Sequence, residues 1–441
     1  MQFIMRTDTF AKLFFLVSIT GLVMYAVLAF YTFHTAYTTM FKEDKDQDQI
    51  KDLYIRNGYK YDRDLKYILL WTDPDLPLVT KFDNGQQQFI NRGCPHTNCF
   101  ITTIKEYLGG EYTNFDAIIF DINVLTNWRK MILPEKRKTR QKYIFYSVIP
   151  SDLAPICTVQ ADDYFNWTWS YKLYSDIVAP FIEVKNLKGD VVAPYPDVSW
   201  DPGMVTASYN DTNVIRNKTK AVAWVINKCV TKTPRRFFAR ELQKALLEYS
   251  LVMDIYGCRN LKCPKEGCLK AIEKDYYFYL AYEDSIEDDY VTDEVLKGYH
   301  HNAVPIVIGG ADYTQFLPYG SYINARFLTA EKLSAYINYA IKNPEVYMSF
   351  YRWKKYYTIE KTERGHGICD LCNLLNDHER MTTHSSYTNF RNWWYTGPLA
   401  EKCYPKGATN RKEWLSYINN TKKHKMYNKQ VSPDVIEDLF Q

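Results

Sequence analysis

Short apolar runs alternate along the chain with longer polar segments, a pattern typical of α/β proteins with parallel sheets. The runs that predict buried strands form two series: 67–71, 115–120 and 143–148, then 221–226, 251–256, 276–282 and 303–308. Helices are predicted at Arg235–Tyr249, Thr329–Lys342 and Pro344–Tyr357. A polar stretch at 201–220 separates the two series, so the pattern predicts two doubly wound α/β domains.

The most informative unit spans residues 276–310. An aromatic strand leads into an acidic, hydroxyl-rich loop at 283–294, and a second buried strand ends at Gly309 and Gly310. Within the loop, Thr292 followed by two acidic residues is a helix start signal. Because ligands of open α/β sheets bind at the carboxyl ends of the strands, this loop is the predicted binding edge.

An apolar run near the N-terminus predicts a membrane anchor. At ~1.5 Å per residue, the stretch from Leu13 to Phe33 can cross the ~30 Å hydrocarbon core of a bilayer. Arg6 and Lys12 precede it and a mixed acidic segment follows, which favours a cytosolic N-terminus. A cleaved signal peptide is the alternative, disfavoured by the length of the run. We expect a cytosolic tail at 1–12, a signal anchor at 13–33 and a stem at 34–64.

Composition fits a globular region on the lumenal side of a membrane. The net charge of +4 is small against 55 basic and 51 acidic residues, so no nucleic-acid partner is indicated. All ten cysteines follow the apolar run, and an even number in an oxidising lumen indicates disulfides. The motif Cys369-x-x-Cys372 could instead form half a zinc site, but no second such motif accompanies it, and no metal site is predicted.

The order of short motifs resembles the α1,3/α1,4-fucosyltransferases, glycosyltransferase family ten, over roughly residues 65–395. The loop at 283–294 and the strand after it are similar to the donor-binding signature of that family, in which Phe-Glu-Asn-Ser precedes Asp-Tyr-Ile-Thr-Glu-Lys. Further motifs follow in the family's order at 68–72, 93–95, 166–168, 175–177, 223–225, 254–257, 316–323 and 343–353. Because their order is shared, the chain is identified as a divergent member.

The resemblance implies the GT-B architecture, in which two Rossmann-like domains face each other across a cleft. An acceptor-side domain is expected at 65–205, a GDP-fucose-binding domain at 218–380, and a tail at 381–441 that packs back on the core. The implied activity is transfer of L-fucose from GDP-fucose to a GlcNAc-containing glycan in α1,3 linkage with inversion, in the Golgi. No cofactor is obligatory on this scaffold; Mn²⁺ stimulation and a homodimer are left open.

The resemblance also implies roles for single residues. Arg235 starts the helix after strand 221–226 and occupies the position of the family's diphosphate-binding arginine, with Arg236 as its rival. Tyr290 matches a donor-contacting tyrosine, and Glu283 matches a glutamate suited to the fucose or ribose hydroxyls. The predicted donor-binding set is completed by Asn227, Asp293 and Lys297.

The resemblance implies one set of disulfides, whereas glycan sites are indicated by sequons. Cys94 and Cys99 are expected to pair with Cys369 and Cys372, in an order that spacing leaves open, and a local bond is plausible at 258–268. Sequons occur at Asn166, Asn210, Asn217 and Asn419 and predict a glycoprotein. Asn166 lies inside a motif shared with the family, so a structural role is its alternative.

Two departures from the family remove charges that the reaction uses. Val148 occupies the place of the proposed catalytic base, and Asp152 or Asp121 would have to serve instead. Glu294 replaces a lysine that would neutralise the diphosphate, although Lys297 lies on roughly the same helix face. Besides an active fucosyltransferase, we therefore consider a catalytically weakened relative that binds glycans or partners, and an enzyme that uses another donor.

Overall fold

A computed structural model describes residues 18–35, 65–71, 82–125, 133–156, 159–209, 211–231, 233–363 and 366–394. The predicted tail at 1–12, all but two residues of the predicted stem, the residues after 394, and the sequons at Asn210 and Asn419 lie outside these ranges.

The N-terminal part forms one helix, α1, at Ser18–Thr35, whose length and mean hydropathy of 1.2 would allow it to cross a membrane. Two of its hydroxyl groups bond within the helix: Thr32 donates to the carbonyl of Ala29 at 3.0 Å, and Thr35 to that of Tyr31 at 2.9 Å. Internal satisfaction of polar groups suits a helix in lipid. By length and composition, α1 agrees with the predicted anchor.

The first sheet is parallel and has six strands in the order β2-β1-β3-β4-β5-β6. Its strands are β1 Lys66–Trp71, β2 Cys99–Thr102, β3 Ala117–Asp121, β4 Lys142–Ser147, β5 Trp167–Ser170 and β6 Ile177–Val178. Short helices are α2 Gln87–Asn91, α3 Ile122–Leu125 and α4 Gly203–Thr206. The order reverses between β1 and β3, the arrangement of doubly wound folds.

The second sheet is also parallel, in the order β10-β9-β11-β12-β13. Its strands are β9 Lys220–Val225, β10 Met253–Tyr256, β11 Tyr276–Tyr282, β12 Val304–Ile308 and β13 Ile323–Asn324; its helices are α5 Arg235–Leu247, α6 Cys268–Asp275, α7 Leu296–Tyr299 and α8 Ala330–Lys342. Alternate strand residues face opposite sides, so Trp224 packs with α5 and α8, whereas Ala223 packs with α6 and α7. The order reverses between β9 and β11. The predicted α/β class with two Rossmann-like sheets is confirmed, and a two-domain GT-B layout is consistent with them.

After the second sheet the chain returns to the first. Helix α9 Pro344–Ser349 is followed by β14 Tyr357–Lys361, which joins β7 Ile182–Asn186 and β8 Val191–Ala193 in an antiparallel sheet. Helix α10 Ile368–Asn376 packs on the first-sheet core and α11 His378–Thr382 follows. The aromatic rings of α12 Phe390–Trp394 pack edge-to-face against Phe145. The predicted domain boundaries stay a prediction.

Two disulfides fasten α10 to the first sheet. Cys94 bonds Cys369 and Cys99 bonds Cys372, across 275 and 273 residues of chain. This pair, called the twin disulfides below, gives the order that spacing left open. In the second sheet's loops the bonds are Cys229–Cys258 and Cys263–Cys268.

Candidate active site

The carboxyl ends of β9 and β11 bring together most of the predicted donor-binding residues. From β9 the chain runs through Lys228 to Arg235, the first residue of α5, and from β11 it enters the loop at 283–294. Because β9 and β11 are neighbours at the point where the strand order reverses, their loops flank the crevice where ligands of such sheets bind.

Arg235 is buried at this edge, with 7% of its surface exposed. Its Nη1 donates to the carbonyl of Tyr282 at 3.3 Å and its Nη2 to that of Lys228 at 2.8 Å. The guanidinium lies 5.7 Å from the ring centroid of Trp224. Within the described residues, the Nε–H has no hydrogen-bond partner. Since a buried unsatisfied donor costs about 1–3 kcal/mol, a ligand or water is expected there.

A charge pair and a hydroxyl order the start of the loop. Lys228 Nζ lies 2.5 Å from Asp284 Oδ2, and the Tyr290 hydroxyl donates to Asp284 Oδ1 at 3.2 Å. Thr233 Oγ1 is 3.4 Å from the carbonyls of both Glu283 and Asp284. The predicted donor contact Tyr290 is thus tied to Asp284, and the loop after β9 is tied to the loop after β11.

Glu283 is buried and accepts two hydrogen bonds from one residue. Its Oε1 accepts from the Thr292 N–H and its Oε2 from the Thr292 hydroxyl, both at 2.8 Å. Burial raises the pKa of the Glu283 carboxyl to about 8, despite the opposing effect of the Thr292 bonds. The group is therefore mostly protonated at neutral pH and can donate as well as accept hydrogen bonds.

The acidic residues at the helix start are each matched by a lysine. Glu294 accepts from the Tyr279 hydroxyl and from Lys297 Nζ, the latter at 2.6 Å. Asp293 forms a salt bridge with Lys361 of β14. Lys297 therefore lies next to Glu294, and its charge is balanced by that carboxylate rather than held free for a diphosphate.

The middle of the loop contacts the segment after β4 in the first sheet. Ser151 Oγ and the Asp152 N–H both donate to Glu287 Oε1 at 3.0 Å. Ser285 Oγ donates to Asp152 Oδ2 at 3.2 Å. Of the two predicted candidate bases, Asp152 is thus in direct contact with the donor-binding loop.

Asp121, Val148 and Asn227 lie apart from that contact. Asp121 ends β3, where its Oδ1 accepts from the Asn123 N–H at 2.8 Å. Val148 follows β4 and packs, half-buried, against the first-sheet core. Asn227 is exposed beyond β9. Asp121 therefore belongs to the edge of the first sheet, one strand away from β4.

The segment after β5 of the first sheet also contacts the loop at 283–294, through Leu173, the residue after the buried Lys172. The Leu173 N–H donates to Asp289 Oδ2 at 3.0 Å. Burial lowers the pKa of Lys172 to about 8, although the nearby Asp288 and Asp289 act in the opposite direction. Burial also raises the pKa of Asp289. The charges compensate one another in a region that excludes water.

Two described sequons differ in accessibility. The Asn166 side chain is buried, accepts from the Tyr143 N–H at 2.8 Å and donates from Nδ2 to the Ser385 carbonyl at 2.7 Å. Such an amide favours the structural alternative for Asn166. Asn217 is exposed and stays a predicted glycan site. The described residues hold no group of three metal-ligating side chains.

Sequence reasoning did not single out Lys228, Asp284 or Glu287. Lys228 comes three residues after β9 and was passed over in favour of Asn227. Asp284 and Glu287 lie inside the predicted binding loop. The sequence does not indicate which acidic residues of such a loop form tertiary contacts, because these depend on the neighbouring elements. A search confined to the carboxyl ends of the predicted strands would have included all three.

Comparison with known proteins agrees with this arrangement. Residues 63–182 match the family "Fucosyltransferase, N-terminal" and residues 215–393 match "Glycosyltransferase family 10 (fucosyltransferase) C-term". Alpha-(1,3)-fucosyltransferase C of Drosophila melanogaster is 29% identical over 362 residues, covering 79% of this chain and 83% of the relative. Glycoprotein 3-alpha-L-fucosyltransferase A of the same species is 29% identical over 377 residues, covering 83% and 66%.

A crystal structure of an alpha1,3-fucosyltransferase with GDP-fucose aligns at a TM-score of 0.42 and 14% identity, over 77% of this chain and 98% of that one. The two family matches span strands of both parallel sheets and the whole loop at 283–294. The chain belongs to glycosyltransferase family 10, the fucosyltransferases.

Proposed function

We propose that the protein transfers L-fucose from GDP-fucose to a GlcNAc-containing glycan in α1,3 linkage, with inversion at the fucose. The observation that carries the proposal is Arg235, buried at the switch point of the second sheet with an unsatisfied Nε–H and without a carboxylate partner among the described residues. Family membership and the α1,3-fucosyltransferase activity for which the two relatives are named support the choice of fucose and of the linkage.

The proposed step forms a bond between the acceptor hydroxyl oxygen and fucose C1 while the bond from C1 to the diphosphate oxygen breaks. The electron pair of the broken bond leaves with GDP, and a carboxylate takes the proton of the acceptor hydroxyl. Attack on the face opposite the diphosphate inverts C1. Arg235 would stabilise the charge that develops on the leaving group, because a guanidinium can donate to two phosphate oxygens.

For the proton acceptor we favour Asp152 over Asp121. Asp152 contacts Ser285 of the donor-binding loop, so a donor held by that loop would lie near its carboxylate. Asp121 ends β3, where its carboxylate accepts a hydrogen bond from the Asn123 N–H. Asp152→Asn should therefore lower kcat by about 10²–10⁴-fold, the contribution of general base catalysis, and Asp121→Asn by much less.

Helix α1 supports placing this activity at a membrane. We propose a single-pass type II protein in the Golgi, with both sheets in the lumen, where the four disulfides of the described residues would persist. Side chains and helix ends, rather than an obligatory ion, are proposed to take the diphosphate charge. Rates measured with EDTA and with added Mn²⁺ test that point.

The deciding experiment incubates the full-length chain, solubilised in detergent, with labelled GDP-fucose and an array of glycan acceptors. Arg235→Ala should lower kcat/KM by about 10²–10³-fold. Arg236→Ala is the matched control, since Arg236 is half-exposed and, within the described part of the chain, donates to the Cys229 carbonyl at 3.5 Å rather than to a carboxylate. Absence of transfer to every acceptor, together with no GDP-fucose binding in calorimetry, would reject the proposal. The anomeric configuration of the product tests inversion.

Val148 and Glu294 favour one other candidate, a weakened relative that binds glycans or partners. In that case restoring both family residues should create activity. Glu294→Lys alone would place two lysines three residues apart and remove the acceptor of the Tyr279 hydroxyl. The reversion should therefore combine Val148→Glu, Glu294→Lys and Lys297→Glu. A parent that already turns over rapidly would eliminate this candidate.

A further inference from the structure

The proposed donor brings negative charge to a loop whose lysines are already engaged. Lys228 is paired with Asp284, and Lys297 with Glu294. On the β9–β11 side of the crevice, Arg235 is a buried cation without a carboxylate partner among the described residues. A second guanidinium from a neighbouring strand would help it neutralise the diphosphate.

The edge next to β12 carries such a group. Arg326 follows β13, where its N–H donates to Asn324 Oδ1 at 3.2 Å. Its Nη1 donates to the carbonyl of Gly310 at 2.8 Å, just beyond β12, and its guanidinium lies 5.0 Å from the ring centroid of Phe327. Arg326 is half-buried, and among the described residues it forms no ion pair.

A buried hydroxyl lies beside it. The Tyr313 side chain is 1% exposed, and its hydroxyl has no hydrogen-bond partner within the described part of the chain. A Cβ added at Gly309 would lie 2.3 Å from that hydroxyl and 3.2 Å from Glu283 Cγ, so Tyr313 and Glu283 meet over this glycine. Burial raises the pKa of Tyr313, with Glu283 raising it further and Arg326 lowering it, so the hydroxyl is a neutral donor.

Arg235 and Arg326 both follow strands at the carboxyl edge of the second sheet. Helices α5 and α8 share one core on one face of the sheet, so the loops that precede them begin on the same side. Arg235 is anchored on the carbonyl of Tyr282, which pairs with Ile308 in the neighbouring strand. Arg326 is anchored two residues past Ile308. The two anchoring carbonyls thus belong to β11 and to the segment directly after its neighbour β12.

We propose that Arg326, together with the Tyr313 hydroxyl, contacts the diphosphate of the donor from the β12–β13 side, opposite Arg235. The inference rests on the proposed function. Arg326 supplies the positive charge that the family's lysine would give and that Glu294 does not. Arg235 is anchored on the residue before Glu283, and Tyr313 meets Glu283 over Gly309, so a protonated Glu283 carboxyl would not repel an anion held there.

The test compares GDP with guanosine, which lacks phosphate, by calorimetry on the full-length chain in detergent. Arg326→Met should weaken GDP binding by about 10- to 100-fold and change guanosine binding by less than about twofold. Arg326→Lys keeps the charge and should lose less than the methionine variant. Tyr313→Phe should weaken GDP binding several-fold without lowering Tm, because its hydroxyl has no partner to lose.

Arg352 provides a matched control. It is also half-buried and also donates one guanidinium hydrogen bond to a carbonyl, that of Val205 at 2.6 Å, but it lies outside the β9–β13 edge. Arg352→Met should leave the binding of both GDP and guanosine unchanged. Equal losses of GDP and guanosine in Arg326→Met, or no loss of GDP, would overturn the inference while the proposed function stands. Wild-type protein that binds neither GDP nor GDP-fucose would remove the proposed function itself.

Discussion

Glutamine at position 283 should make the stability of the fold less sensitive to a rise in pH between about 4.5 and 8. In the folded protein, burial raises the pKa of Glu283 to about 8, against 4.5 in an unfolded chain. The folded state therefore binds this proton more tightly than the unfolded state. The stability that the protonated group contributes is fully present below pH 4.5 and is lost as pH rises through 8.

The size of the effect follows from the shift. Proton linkage lowers the free energy of unfolding, relative to its value well below pH 4.5, by about 1 kcal/mol at pH 5, about 3 kcal/mol at pH 7 and about 4–5 kcal/mol at pH 9. Glutamine resembles the protonated carboxyl, because its oxygen can accept from the Thr292 N–H and its Nε2 can donate to the Thr292 hydroxyl. Between pH 5 and pH 8, the free energy of unfolding of Glu283→Gln should therefore rise by about 3–4 kcal/mol relative to that of the wild type.

The assay measures thermal unfolding of both proteins, in the same detergent, at intervals from pH 5 to pH 8.5. The difference in Tm between Glu283→Gln and wild type should widen in favour of the variant as pH rises. Glu248→Gln, at the exposed end of α5, is the control and should give a constant difference. A difference for position 283 that stays flat across this range would refute the assignment of a protonated, buried carboxyl.

Three further predictions concern packing and modification. Gly310→Ala should lower Tm and weaken GDP binding together, because its Cβ would lie 2.3 Å from the Glu287 carbonyl oxygen; normal GDP binding would contradict this. Removing one twin disulfide by Cys99→Ala with Cys372→Ala should lower the free energy of unfolding by about 2–3 kcal/mol, because with the other bond intact it closes only a short loop. Removing both should lower it by about 8 kcal/mol, because the long loop is then released as well. Equal, additive losses for the two bonds in denaturant unfolding would disprove this prediction. Glycopeptide mass spectrometry should find Asn166 unmodified, because its Nδ2 is bonded to a backbone carbonyl inside the fold.

The hydrophobic pattern was sufficient to locate the main strands of both sheets. The predicted runs at 67–71 and 276–282 correspond to β1 and β11, because strands covered on both faces are continuously apolar and easily separated from polar loops. The predicted helix at Pro344–Tyr357 extends too far: α9 ends at Ser349, and Tyr357 begins β14. Strand β14 pairs with β7, more than 150 residues earlier, and no local pattern reports such a partner.

The site was predictable as a region and less so as a set of contacts. The loop at 283–294 and Arg235 lie together at the carboxyl edge, as their positions after strands require. Lys297 was expected to stand in for a missing lysine, yet the structure pairs it with Glu294. Arg326 gave no signal in the sequence, since its relevance depends on β13 lying beside β12, a neighbour relation set by the sheet as a whole.

The departures of this loop from the family pattern are connected by their charges. Where the pattern has asparagine and lysine, this chain has Asp284 and Glu294, and each carboxylate lies against a lysine, Lys228 and Lys297 respectively. The charges of these two carboxylates are thus neutralised by lysines before any donor binds. A diphosphate adds charge that these pairs cannot neutralise without breaking. The diphosphate must then be bound by cations outside these salt bridges. Restoring a single family residue in the loop would break an existing salt bridge rather than recreate the family's site.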